Sequence, residues 1–207
     1  MPSLAPLLRA AAVERGVLDA SERLDAAAAV RIVRDLPYER ASDRRPETVI
    51  AEWRGTCSGK HYLLAKVLEE LGAEVIVIHA THHFTPENSP WLPPDLLAEA
   101  ARGPVPDVHT FLRVLLDAFR GDWSTVDATW PAAVAALGMP VNEAFAPGVD
   151  QRIAADVEEI LHVDAEDDPQ EVKARLIAAF AGDETARRDA FIMRLSAWLG
   201  ERLGADR

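Results

Sequence analysis

Apolar and polar positions recur along this chain with two periods, and each period predicts an element. Leu64, Val67, Leu68 and Leu71 fall at i, i+3, i+4 and i+7, the stripe of an amphipathic helix that begins at Cys57 and is ended by Gly72. Val75-Ile76-Val77-Ile78 follows, a β-branched run that reads as a short buried strand. From Ala80 to Asp107 the pattern dissolves. Pro86, Pro90, Pro93, Pro94, Pro104 and Pro106 argue against a regular strand there, leaving room for one short helix over 95–102. Residues 108–116 and 123–129 read as two further strands joined by a turn containing Gly121, an antiparallel hairpin.

The two ends of the chain read as helical. Asp19 or Ser21 is placed to cap a helix carrying Leu24, Ala27, Ala28, Val30, Ile32 and Val33 to Leu36, where Pro37 stops it; Pro46 then opens another turn. Asp168-Pro169 predicts the cap and first turn of a helix through Val172, Leu176 and Ala179, and the acidic run before it reads as a solvated loop. A last helix runs from about Glu184 to Leu203, with Phe191, Leu195, Trp198 and Leu199 on one face. The order helix, helix, strand, insertion, strand, strand, helices assigns the α+β class. We divide the single expected domain, 1–207, into N-terminal helices (1–45), a core (46–131) with an insertion at 80–107, and a helical C-terminal extension (132–207).

Composition removes several functions. The chain has 207 residues, with 22 Lys and Arg against 34 Asp and Glu, a net charge of −12. That balance argues against nucleic acid and anionic membrane surfaces as partners, since both need basic clusters. No run approaches the roughly 18 apolar residues of a membrane span, and the first residues lack a targeting pattern, so a cytoplasmic protein is expected. A single cysteine, Cys57, rules out an internal disulfide and a multi-cysteine zinc site.

Cys57 is therefore read as chemistry. It lies between Gly55 and Gly59 at a helix start, where free N–H groups and the helix dipole favour a thiolate, and small neighbours would let a substrate approach. A thiol nucleophile needs a base and a carboxylate to orient that base. His109 opens one predicted strand and Asp127 lies on the next, where pairing would set them side by side. His61, four residues after Cys57, is a rival base on the same helix face. His79, His82 and His83 are expected at a strand end and in a loop near the cleft. They lack metal-ligand spacing, and neither metal nor cofactor is expected. Trp123 and Trp130 flank Asp127 as core or cleft-wall aromatics, and Trp91 in the insertion is either a plug or a substrate contact.

The segments Glu47-Thr48-Val49-Ile50, Arg54-Gly55-Thr56-Cys57, His109-Thr110-Phe111-Leu112-Arg113-Val114, Gly121-Asp122-Trp123 and Val126-Asp127-Ala128-Thr129-Trp130-Pro131, in this order, resemble the motifs of the transglutaminase-like superfamily. The resemblance implies a papain-like α+β core with Cys57 as nucleophile, His109 as general base and acid, and Asp127 as orienting carboxylate. It also implies a peptide, protein or small-molecule acyl donor, attacked at an amide or thioester carbonyl to give a thioacyl-enzyme. Hydrolysis and transfer to an amine both stay open, as does the oligomeric state. The Cys57 N–H is the first oxyanion donor by position; Trp53 or a side chain from the N-terminal helices is a candidate for the second, and Trp130 for the cleft wall. Two alternatives stand beside this reading: an arylamine N-acetyltransferase-like enzyme, which Arg54-Gly55-Thr56-Cys57 matches in part, and a non-catalytic peptide-binding module. The insertion would shape or cover the pocket. Asp127→Asn is expected to spare the fold and remove most turnover.

Overall fold

The helix that begins at Cys57 is enclosed by protein along its first half. In the computed structural model, which describes residues 3–116, 121–164 and 166–204, this helix spans Cys57–Glu70 and follows three others: α1 (Leu4–Glu14), α2 (Ala26–Asp35) and α3 (Pro46–Glu52), so it is α4. Every residue from Cys57 to Ala65 is buried. The apolar stripe predicted from Leu64 onward thus describes only its second half. Leu71, placed on that stripe, is the C-cap and is exposed.

Local chemistry explains where the N-terminal helices begin. Asp25, and not Asp19 or Ser21, caps α2, accepting the Ala28 N–H at 2.8 Å. Asp19 is committed to its own turn, accepting from the N–H and hydroxyl of Ser21 at 2.8 and 2.6 Å. Pro46 opens α3 as expected, and Trp53 ends it in the left-handed region at φ 53°. The start of α1 is capped from a distance: the Glu70 carboxylate accepts from Ser3 Oγ and from the N–H groups of Leu4 and Ala5.

The sheet has four antiparallel strands, β1 (Glu74–Phe84), β2 (Val105–Leu115), β3 (Ser124–Val126) and β4 (Glu159–His162), in the order β3-β2-β1-β4. β1 and β2 pair over their whole length, from Glu74↔Leu115 to Phe84↔Val105. This corrects the sequence reading at both strands. The strand predicted over 75–78 continues through all three histidines, and the insertion shrinks to residues 85–104, which hold α5 (Pro94–Arg102). Pro106 sits inside β2, opposite His83, because β3 pairs only with Leu112–Val114 and leaves the rest of that edge without a strand. There a missing N–H breaks no ladder bond. β3 is likewise shorter than the predicted 123–129 strand. Of the predicted turn, residues 117–120 lie outside the described residues, and Gly121 has the turn-forming φ of 71°.

The C-terminal third is not the helical extension expected. It carries a 3-10 turn (Ala132–Leu137), irregular chain and β4 before α6 (Pro169–Ala181) and α7 (Thr185–Gly204) appear. Alternation along β2 places Val108 and Thr110 on one face, Asp107 and His109 on the other. α6 packs on the first face, where Ile177 and Ala181 meet Val108. α7 packs toward the second, where Phe191 shares a cluster with Phe84 and Val105 and Arg188 bonds Asp107. α4 covers the first face further along, burying Leu63, Leu64, Val67 and Leu68 with Leu112 and Val114. No helix among the described residues is long and apolar enough to cross a membrane.

Candidate active site

Cys57 is the first residue of α4 and is 5% exposed. Thr56 precedes it in extended conformation, and its side chain makes no cap bond, so the first-turn N–H groups stay uncapped by it. The glycines on either side serve packing, not access. A Cβ on Gly59 would lie 3.1 Å from Val49, and one on Gly55 would meet Lys60 and Val49 at 3.3 and 3.4 Å. They let α3 and α4 approach closely and so fix where the thiol sits.

His109 and Asp127 come together as the sequence suggested, by a different route. His109 is the fifth residue of β2, not its first, and Asp127 lies one residue past the end of β3. The register Leu112↔Val126 sets Asp127 across from Phe111, leaving His109 diagonal to it on the same face. The His109 Nε2–Asp127 Oδ2 distance is 2.8 Å. That carboxylate also accepts the N–H of Thr129 at Oδ1 (3.0 Å) and of Ala154 at Oδ2 (2.8 Å). With Nε2 bound to Asp127, Nδ1 is the nitrogen left for the sulfur. Burial works against the imidazolium, but the Asp127 carboxylate and then the thiol outweigh it, raising His109 to about 10. Burial likewise works against the Asp127 carboxylate; the charge and hydrogen bond of His109 overcome it and hold Asp127 well below the usual range.

A third partner reaches the sulfur from the other face of the sheet. Lys173 on α6 is 1% exposed, and its Nζ lies 3.4 Å from Cys57 Sγ, 2.6 Å from Ser58 Oγ and 3.0 Å from Thr110 Oγ1. Thr110 is also 3.1 Å from His79 Nδ1, and His79 Nε2 is 2.9 Å from the carbonyl of Pro169 at the start of α6. Burial pushes the thiol of Cys57 up. The Lys173 ammonium first, then the hydrogen bond and charge of His109, pull it down to about 6, against an opposing push from Asp107. Sequence reading missed Lys173, although its spacing from Leu176, Ile177 and Phe180 (i+3, i+4, i+7) sets it on the apolar stripe of α6.

His61 is occupied and is not a rival base. Its Nδ1 lies 2.7 Å from the Cys57 carbonyl and its Nε2 accepts the Ala128 N–H at 2.9 Å, so the ring is neutral. Burial first, then the nearby charge of His109, holds it at about 4 against the pull of Asp127. The 3.7 Å approach of Nε2 to Asp127 Oδ1 is therefore no ion pair. Lys60 is equally buried and ties the end of α2 to the segment after β3, donating to the carbonyls of Arg34 (2.8 Å) and Thr129 (2.9 Å).

A second buried charge cluster adjoins the first. Arg188 on α7 donates to Asp107 Oδ1 through Nε at 2.7 Å and through Nη2, and His82 Nε2 stands 3.6 Å from Asp107 Oδ2. Tyr38 is 4% exposed, its ring lies 4.5 Å from that of Trp130, and the neighbouring Pro37 carbonyl accepts the Gly55 N–H. Its hydroxyl has no hydrogen-bond partner among the described residues, and burial first, then the charges of Cys57 and Asp107, push it well above the usual phenol range. Trp130 is buried with Nε1 unpartnered, and Trp91 packs on it at 5.6 Å, which makes Trp91 a plug against the body of the protein. Trp123 is only half-buried. Trp53, held under Arg15 at 4.7 Å, lines a cleft of about 870 Å³ with Asp35, Glu39 and Arg54. Cys57, His109 and Asp127 do not line that cleft, so nothing places Trp53 at the sulfur.

No three His, Cys, Asp or Glu side chains among the described residues are arranged to hold a metal ion. The three histidines of β1 point to alternating faces and bond elsewhere: His79 as above, His82 toward Asp107, and His83 through Nδ1 to Glu158 at 2.6 Å. No protein-family profile, curated protein or solved structure matches the chain.

Proposed function

We propose that this chain is a transglutaminase-like cysteine enzyme that takes an acyl group from an amide or thioester onto Cys57 and passes it to water or an amine. The observation that carries the reading is the 2.8 Å His109–Asp127 bond, with the imidazole's other nitrogen free for a sulfur at a helix N-terminus. The thiolate attacks the donor carbonyl, forming the C–S bond and a tetrahedral oxyanion. The Cys57 N–H is the first donor to that oxygen, and Tyr38, a buried phenol that feels the Cys57 charge, is the candidate for the second. As the sulfur loses its charge, His109 loses part of what makes it basic, and its proton passes to the leaving amine or thiol. His109 then takes a proton from the incoming water or amine, and collapse of the second tetrahedral intermediate frees the thiolate. The acyl donor is a peptide, protein or small molecule, and the compartment is the cytoplasm.

Intact-mass measurement after incubation with a panel of amide, ester and thioester donors tests this. An adduct of acyl mass on the wild type, absent from Cys57→Ala, is expected; no adduct with any donor would overturn the proposal. An arylamine N-acetyltransferase would form its adduct with acetyl thioesters alone and release it to arylamines. A peptide-binding module would form none.

A further inference from the structure

We propose that Lys173 is a catalytic residue, its ammonium binding Sγ directly and keeping the nucleophile a thiolate independently of His109. The proposal rests on the reading of Cys57 as nucleophile and adds to it a group from α6, on the face of the sheet opposite His109.

The hydrogen-bond directions around Nζ are fixed by a carbonyl, which can only accept. Pro169 O accepts from His79 Nε2, and burial keeps the ring neutral, so His79 Nδ1 carries no proton and accepts from the Thr110 hydroxyl. Thr110 Oγ1 must then accept from Lys173. Ser58 Oγ is the second acceptor and Cys57 Sγ the third. Three acceptors match the three N–H bonds of an ammonium, whereas a neutral amine would have to accept from the Ser58 hydroxyl or the Cys57 thiol. Buried to 1% exposure, that ammonium needs an anion, and the sulfur is the acceptor in its shell that can become one. Burial is the largest influence on Lys173 and lowers it; the Cys57 charge and then Asp107 favour the ammonium, while Arg188 and Arg44 oppose it, and Asp107 is itself bound by Arg188. His79, with Nδ1 used as an acceptor, is neutral, and burial followed by the Lys173 charge holds it at about 4.

Two cations at one sulfur divide the labour. In a cysteine–histidine pair alone, the imidazolium both maintains the thiolate and must later surrender its proton. With Lys173 in place, the C–S bond forms and the His109 proton goes to the leaving group while Lys173 keeps its own. When the C–S bond of the acyl-enzyme breaks, the electron pair returns to a sulfur already facing an ammonium. Every proton is accounted for by His109, the leaving group and the incoming nucleophile.

The test reads the thiolate and not the turnover. Thiolate absorbance and iodoacetamide alkylation are followed against pH in the full chain for wild type, His109→Ala, Lys173→Met and the double variant, with near-ultraviolet circular dichroism checking the fold. In His109→Ala the midpoint should stay at least one pH unit below that of a free thiol. In Lys173→Met it should rise, reducing alkylation at pH 7 about tenfold, and the double variant should titrate as an ordinary cysteine. A His109→Ala midpoint at the free-thiol value would overturn the proposal even if Lys173→Met does not fold, as would an unshifted midpoint in folded Lys173→Met. These outcomes do not depend on any acyl donor. Failure of the acylation panel therefore tells against the proposed reaction, and failure of this titration against Lys173.

Discussion

At the sulfur of Cys57 the arrangement follows from one property of a β-strand. Thr110 and His109 are neighbours in β2 and so face opposite ways. Thr110 receives Lys173 on one side, and His109 meets Asp127 on the other. With the thiol near 6 and the imidazole near 10, thiolate and imidazolium coexist between those values. A profile of kcat/KM against pH should rise through about 6 as the thiolate forms and fall through about 10 as His109 loses its proton. Asp127→Asn should move the alkaline limb down, because after burial the carboxylate is the main influence on His109, and it is the one that raises it. The same substitution should also cost about 2 kcal/mol of stability by urea unfolding. Asp127 accepts three hydrogen bonds, two of them from backbone N–H groups, and an amide nitrogen must face one of those donors. The expectation that Asn would spare the fold was drawn from the His109 pairing alone; the two backbone bonds have no sequence signature.

Among the elements, α6 and α7 carry what the motifs do not. α6 is fixed at its first turn: Asp168 accepts the Gln170 N–H, and the Pro169 carbonyl accepts from His79 and from the Tyr62 hydroxyl. Tyr62→Phe removes one of those bonds and should lower stability by about 1 kcal/mol. Because Lys173 is carried on that helix, it should also raise the alkylation midpoint of Cys57. α7 supplies Arg188 to Asp107, both side chains at most 6% exposed. Arg188→Met leaves a buried carboxylate unpaired and should destabilise the protein by about 3–5 kcal/mol in denaturant unfolding, with part recovered in the Arg188→Met/Asp107→Asn double variant. Both helices were legible as helices, Asp168-Pro169 included, yet read as an appendage. Their buried cations stand on the apolar stripes, Lys173 three and four residues before Leu176 and Ile177 and Arg188 three and seven before Phe191 and Leu195, so spacing marks them as buried but not what they pair with.

Across the whole molecule, two histidines are used as fixed neutral acceptors, and this sets an acid limit on stability. His61 and His79 both stand near 4 because burial disfavours their charged forms. The unfolded chain binds these protons near 6.5 and the folded chain only near 4. Their contribution is thus complete above about 6.5 and is lost as pH falls toward 4. The melting temperature should drop across that window, by on the order of a few kcal/mol of stability in all. A His79→Gln variant should show a shallower slope. His109 acts oppositely: its raised value adds stability below about 6.5 that disappears as pH rises through 10.

By itself the sequence determined α4 and its cysteine, the α+β class, the helix starts at Pro46 and Asp168, and the order of Cys57, His109 and Asp127. Each depends on neighbours within a turn or a strand, where spacing, capping and β-branching act. Tertiary structure decided the length of β1 and β2, since their mutual pairing outweighed a proline and a polar histidine run that locally argue against a strand. It also decided which polar groups meet at the sulfur. Lys173 lies 116 residues from Cys57 and touches it only because α6 folds onto the face of β2 that carries Thr110. Burial of that ammonium beside a thiol depends on how separate elements pack, and no local pattern encodes it.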